Sequence, residues 1–337
     1  MFSRSNPVLL LALLVFRPES AVAAEVPPPW AYGFKEAPPP GTAQLQPGKI
    51  GPLSTNPAKL SLPGTQRTFT RAELTNPFST ADWYPGDHAA IPDIVFHGKA
   101  PDVWACTRCH YTNGKGRPEN AGIAGLPVNY FIEQLLAFRH GERLSSDPRK
   151  TNTLMMVTFA KTMTDDEIKA AADYYGAMKW TSWIRVVETE RVPKTTISAG
   201  MYLQIPGGGD EPIGDRIIEV PADADAVEIQ RNPRVGFVAY APVGSIKRGE
   251  ELVTRGGGKT VACSTCHGAD LNGATLPVIG ETPGLAGRSP SYIVRQLFDL
   301  KSGQRHDKRA ELMKPVVANL TSGDMLAISA YLASRSP

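Results

Sequence analysis

Cys106-Thr107-Arg108-Cys109-His110 and Cys263-Ser264-Thr265-Cys266-His267 spell the same pattern twice, C-x-x-C-H. Two thiols at this spacing can add across the two vinyl groups of one haem, and the histidine beside them then lies under the iron. The four cysteines are all that the chain has, so none is left for a disulfide framework. A zinc site would bring its two C-x-x-C pairs much closer together in sequence. A redox dithiol would want a βαβ setting and has no use for a histidine after each pair. The expected cofactors are two covalently bound haem c groups (iron). Cys106, Cys109, Cys263 and Cys266 attach them, and His110 and His267 supply one axial ligand each.

A second axial ligand must come from further along each copy. Met156 and Met313 both lie forty-six residues past their histidine and eight before a threonine, Thr164 or Thr321. The matched spacing nominates them, although Met155 competes with Met156. A thioether ligand raises the potential and closes the position where oxygen or peroxide would bind. That chemistry suits carrying electrons and not an enzyme. Met163, Met178, Met201 and Met325 read as core filling, and His88, His97, His140 and His306 as surface residues.

The elements around these residues repeat as well. Tyr130 to Gly141 matches Tyr292 to Gly303, with Tyr, Gln and Gly at the same offsets. Each stretch predicts a helix with a glycine stop. Gly122-Ile-Ala-Gly125 matches Gly284-Leu-Ala-Gly287 upstream. Thr164-Asp-Asp-Glu167 and Thr321-Ser-Gly-Asp324 have the form of capping boxes, each opening a closing helix. An opening helix is predicted over Ile246 to Arg255 with Ser245 as its cap, and a shorter one over Pro92 to His97.

Outside the repeats the chain changes character. Arg4, the apolar run Val8 to Phe16 and the small residues Ala21 to Ala24 read as a signal peptide over 1–24. Periplasmic export follows from it. No later run is long and apolar enough for a transmembrane helix. Residues 25–90 are rich in Pro and hold Trp30, Tyr32, Phe34, Trp83 and Tyr84, which predicts an arm wrapped along a domain, with a disordered tail as the alternative. Residues 181–244 form a connector, with strands predicted at Ile184 to Val187, Arg216 to Val220 and Gly236 to Tyr240. A formal charge of +3 gives no footing for nucleic acid.

With these residues in hand, the two copies resemble class I cytochrome c domains in tandem, as in the diheme, c4-like bacterial cytochromes. The resemblance spans about 90–180 and 245–337, and the two haem domains are expected over 91–180 and 245–337. It implies two cytochrome c domains in tandem; with the small β-rich connector and the Pro-rich N-terminal arm read above, the expected fold is mainly α. It implies a periplasmic location, two His/Met haems, and electron transfer between a dehydrogenase or quinol-oxidising complex and a terminal acceptor. The expected partners are a redox protein donor and acceptor. The arm and connector exceed the family pattern, which leaves room for a partner subunit role in a periplasmic dehydrogenase complex. A diheme redox enzyme is the third reading, weakened because no cysteine lies outside the motifs.

Overall fold

The structure is a computed structural model that describes residues 25–47 and 51–337. The signal-peptide expectation falls on residues outside that range. Each repeat lays down five helices in one order. In the first they are Asp93–Phe96, Thr107–His110, Val128–His140, Thr151–Thr162 and Asp165–Gly176. In the second they are Ser245–Arg255, Ser264–His267, Pro290–Lys301, Lys308–Val317 and Ser322–Ser334.

The closing helices start as their sequences predict. Thr164 N donates to Glu167 Oε2 at 2.7 Å and Glu167 N to Thr164 Oγ1 at 3.2 Å. Thr321 and Asp324 make the same reciprocal pair at 3.0 and 3.2 Å. Asp324 also accepts from Arg248 and Lys259, so it ties the opening helix of the second repeat to the closing one. Burial alone would raise its pKa, but the bonds from Lys259 and Thr321 hold the carboxyl well below the usual range. The two helices cross tightly at Gly249, where a Cβ would overlap the Ala327 carbonyl oxygen.

Ser245 is not the cap that its type suggested. Gly244 occupies that position at φ 87°. The cap comes from the connector instead, because Ile246 N donates to Glu188 Oε1 at 2.8 Å.

The three predicted connector strands meet in one sheet. Ile184–Glu188 runs parallel to Phe237–Ala241, which runs antiparallel to Ile218–Pro221. Arg216 lies before the strand rather than in it, and its guanidinium donates to Ile213 O and Pro212 O. Two short antiparallel pairs that the sequence reading missed fill the interval: Arg191–Pro193 with Asp210–Pro212, and Thr195–Ser198 with Met201–Gln204.

The arm and connector are packed parts of the molecule. Trp30, Ala31 and Tyr32 share a buried cluster with Ile217, Ile218 and Val220 of the connector and Val294, Leu326 and Ala330 of the second repeat. Tyr32 OH donates to Asp299 Oδ1 at 2.8 Å. Further along the arm, Leu62, Leu74, Trp83 and Tyr84 form a core of their own. Trp83 Nε1 anchors that core to the connector at Gln230 O, 2.8 Å away.

Candidate functional site

The two attachment motifs fold alike because each is a single helical turn. His110 N donates to Cys106 O and His267 N to Cys263 O, both at 2.9 Å. One turn brings both thiols and the imidazole to one side. The chain then turns away through left-handed residues, Tyr111 at φ 60° and Gly268 at φ 86°. Each imidazole is oriented by its own repeat. His110 Nδ1 meets Ala121 O and His267 Nδ1 meets Pro283 O, both at 2.8 Å. A ring whose Nδ1 donates to a carbonyl keeps Nε2 free as a ligand. Burial pulls both imidazoles below their ordinary pKa, against the opposing pull of those carbonyls. The neutral ring is the form that binds metal.

Burial pushes the Cys106 thiol up to about 12 and the Cys263 thiol up to about 11. Burial outweighs the backbone hydrogen bond that favours each thiolate, the form zinc would need. Among the described residues, no cluster of three or more His, Cys, Asp or Glu side chains could hold a metal ion. Thioether attachment needs no such cluster.

All six motif side chains line one continuous cavity of about 430 Å³ shared by the two repeats. Met155, Met156 and Met313 line it too. Their helices are in register: Ala160 and Val317 are both buried, as are Met163 and Leu320 one turn on. By that register Met156 corresponds to Met313, and Met155 to Leu312, which is half exposed. Met156 and Met313 each pack against the core of their own repeat.

The polar wall of the cavity is built from both halves. Arg143 donates to Gln134 of its own repeat and to Tyr292 and Gln296 of the other, each at 2.9 Å. Arg305 mirrors it, donating to Gln296 at 3.1 Å and to Tyr130 and Gln134 at 3.1 and 2.8 Å. The repeated Tyr and Gln of the long helices therefore serve the seam between the halves. The two arginines went unnoticed in the sequence, although Gly141-Glu142-Arg143 and Gly303-Gln304-Arg305 share one offset. Lys150 is buried on the same wall. Burial, then the nearby Arg295, pulls its ammonium down to about 7. A wall carrying Arg143, Arg305 and Lys150 suits the carboxylates of haem propionates, so the residues fit the group that the motifs imply.

His97, His140 and His306 are exposed and His88 is not, a departure from the surface reading of all four. Its imidazole lies 3.2 Å from the Asp82 carboxylate, which holds the ring inward. None of the four lines the cavity.

The cytochrome c family pattern matches residues 99–178 and 246–336, just over half of the chain. The "thiosulfate dehydrogenase electron acceptor" of Thiomonas intermedia is 27% identical over 257 residues, covering 74% of this chain and 84% of that protein. Cytochrome c4 of Stutzerimonas stutzeri is 31% identical over 138 residues, 37% of this chain and 63% of its own. Among solved structures, the thiosulfate dehydrogenase TsdBA of Marichromatium purpuratum is similar with a TM-score of 0.46 and 26% identity, over 71% of this chain and 38% of that one. Two attachment motifs, two oriented imidazoles and two regions matching one family lead to a single conclusion: the chain belongs to the cytochrome c family, with two cytochrome c domains in tandem that carry covalently bound haem c and transfer electrons.

Proposed function

We propose that this is a periplasmic cytochrome passing single electrons between a dehydrogenase or quinol-oxidising complex and a terminal acceptor. In this reading His110 and Met156 ligate the first iron, and His267 and Met313 the second. The observation that carries it is the pairing, in both repeats, of an oriented imidazole with a methionine at the same helical register on one cavity. Haem supplies the one-electron couple when bound. The chain's own residues hold it covalently, fix the imidazole tautomers through Ala121 and Pro283, and surround the carboxylates with cations. The domains divide as arm 25–90, first haem domain 91–180, connector 181–244 and second haem domain 245–337, with the arm and connector bracing the haem domains.

One observation favours a more specific role as the electron acceptor of a dehydrogenase complex. The similarity to the Thiomonas protein runs over 74% of this chain, well beyond the half matched by the family pattern. Part of the arm or connector therefore shares in it. The experiment is to mix the oxidised, haem-loaded protein with thiosulfate and a purified thiosulfate dehydrogenase, and to follow haem reduction and co-elution. Full reduction by two electrons per chain, dependent on the enzyme, supports the acceptor role. Reduction by general donors alone leaves the freely diffusing carrier. A chain that takes up fewer than two electrons from dithionite overturns both.

A further inference from the structure

The charged side chains that line the cavity are nearly all committed to partners within the chain. Arg143 and Arg305 are bound into the seam. Arg288 donates to Gly122 O and Ala124 O at 2.8 and 3.1 Å. Arg295 donates to Ala31 O and Pro118 O at 2.6 and 2.7 Å. Arg309 donates to Ile279 O and Glu281 O at 3.0 and 2.9 Å and pairs with Glu133. The carboxylates are served as well, Glu281 by Asn129 at 3.2 Å and Asp299 by Tyr32 and Ser146.

Two lining groups remain. Lys150 is 6% exposed, and its ammonium makes no hydrogen bond or ion pair among the described residues. Burial and then Arg295 act against its charge, while Glu119, Asp147 and Asp299 favour it only from a distance. Asp147 is taken by Arg149. Glu119 is 3% exposed, and neither of its carboxylate oxygens accepts a hydrogen bond. Arg117 Nε lies 2.6 Å from Oε1 as an ion pair only. Both side chains sit under one cover, the connector turn at Gly200. A Cβ at Gly200 would lie 3.5 Å from Glu119 Cβ and 3.6 Å from Lys150 Nζ. Gly33 of the arm packs on that turn so closely that a Cβ there would overlap the Gly200 carbonyl oxygen. Buried charges are ordinarily paired, and here the fold buries a cation that it does not itself pair.

We propose that the pocket beneath Gly200 is a carboxylate subsite, in which the Lys150 ammonium bridges a propionate of the first haem and the Glu119 carboxylate. An ammonium carries three donors, enough for both acceptors. A carboxylate beside it offsets the cost of burial, and a charge-assisted bond closed off from water is a strong one. The neighbours place the pocket at the first haem. Lys150 directly precedes the helix that carries Met156. Asn120, next to Glu119, donates to Cys109 O in the attachment turn at 3.4 Å and accepts from Asn152 at 2.7 Å. Asp307 stands at the matching place in the second repeat, where it caps its own helix through Arg309 N and Ala310 N. The subsite is thus completed by the connector and arm, segments that lie outside the two regions matching the family pattern. The inference rests on haem attachment at the first motif and not on the choice of axial methionine.

The test uses the haem-loaded full chain and reads two signals: the propionate bending band in resonance Raman spectra, and the two one-electron steps of a spectroelectrochemical titration. Lys150→Met should shift the propionate band. It should also lower one step by about tenfold in its equilibrium constant, or 59 mV, because a cation beside the haem favours the reduced state. Glu119→Gln removes a negative charge and should raise that same step. Lys150→Gln keeps a donor and loses the charge, so it should hold the band in place and still lower the step, which separates the contact from the charge. A propionate band that Lys150→Met leaves unmoved overturns the subsite whatever the potentials do. A Glu119→Gln variant that moves the other step overturns it too. A denatured chain that retains fewer than two haems overturns attachment itself, and the subsite with it.

Discussion

Replacing Arg305 by Met should loosen the seam between the haem domains. Arg305 is buried and donates to Gln296, Tyr130 and Gln134 at 2.8 to 3.1 Å. A hydrogen bond to a charged donor contributes about 1.5–3 kcal/mol. The loss is smaller than three such bonds, because Arg143 still donates to Gln134 and Gln296. Tyr130 OH and the Asp307 carboxylate lose a partner outright. Removing one member of a buried charged set costs about 3–5 kcal/mol, and that is the expected destabilisation. The shared acceptors add a sharper expectation. Arg143→Met and Arg305→Met together should depart from additivity by about 1 kcal/mol or more, since the second loss strips Gln134 and Gln296 of their remaining donor. Denaturant titration of the haem-loaded protein, read at the Soret band and by far-ultraviolet circular dichroism, measures both quantities. Single losses below about 1 kcal/mol, or strict additivity, would refute the account of the seam as a coupled network.

Three further outcomes are expected. Gly249→Ala should destabilise the second domain by about 1–3 kcal/mol in thermal or chemical unfolding, because overpacking against the Ala327 carbonyl outweighs the roughly 1 kcal/mol that alanine gains in helix propensity. A stabilised variant would mean the helices do not cross this closely. Asp324→Asn should cost about 1–3 kcal/mol at neutral pH through its lost partners Lys259 and Arg248. Its folded-state pKa is depressed, so its contribution is present above the unfolded carboxylate range and fades as pH falls toward the folded value. The stability gap between native and variant should therefore narrow in acid, and a gap that widens there contradicts the pairing. Met156→Ala should abolish one far-red band and admit carbon monoxide, whereas Met155→Ala, at the position matching exposed Leu312, should do neither. The reverse result moves the ligand by one residue.

What the sequence disclosed was what local chemistry writes locally. The attachment turns are encoded within five residues, and a capping box within four, so Thr164 and Thr321 could be read without a fold. Strands with alternating burial, such as Phe237–Ala241, were legible for the same reason. The helix Thr151–Thr162 was not. Its cap residue Lys150 makes no side-chain cap bond, and Thr151-Asn-Thr-Leu-Met-Met-Val-Thr shows no apolar stripe for a period of 3.6 to reveal. That helix holds its place through the cavity it lines, which is a tertiary fact. Ser245 misled for a related reason: the group that caps its helix, Glu188, lies in another element.

The seam and the cover follow the same logic on a larger scale. Repetition made the Tyr and Gln of the long helices visible, but their purpose depends on Arg143 and Arg305, each of which serves the opposite repeat as well as its own. A single cytochrome c domain would leave these polar groups facing water, where they contribute little. Only when two copies close on one another do they become buried and mutually satisfied. The arm and connector then break the symmetry that the seam keeps. They reach the first attachment turn through Thr80, Arg231 and Pro233 and leave the second open at Thr265. The added segments, which the repeats alone could not have foretold, therefore give two copies of one unit different surroundings, one attachment turn clamped and the other exposed.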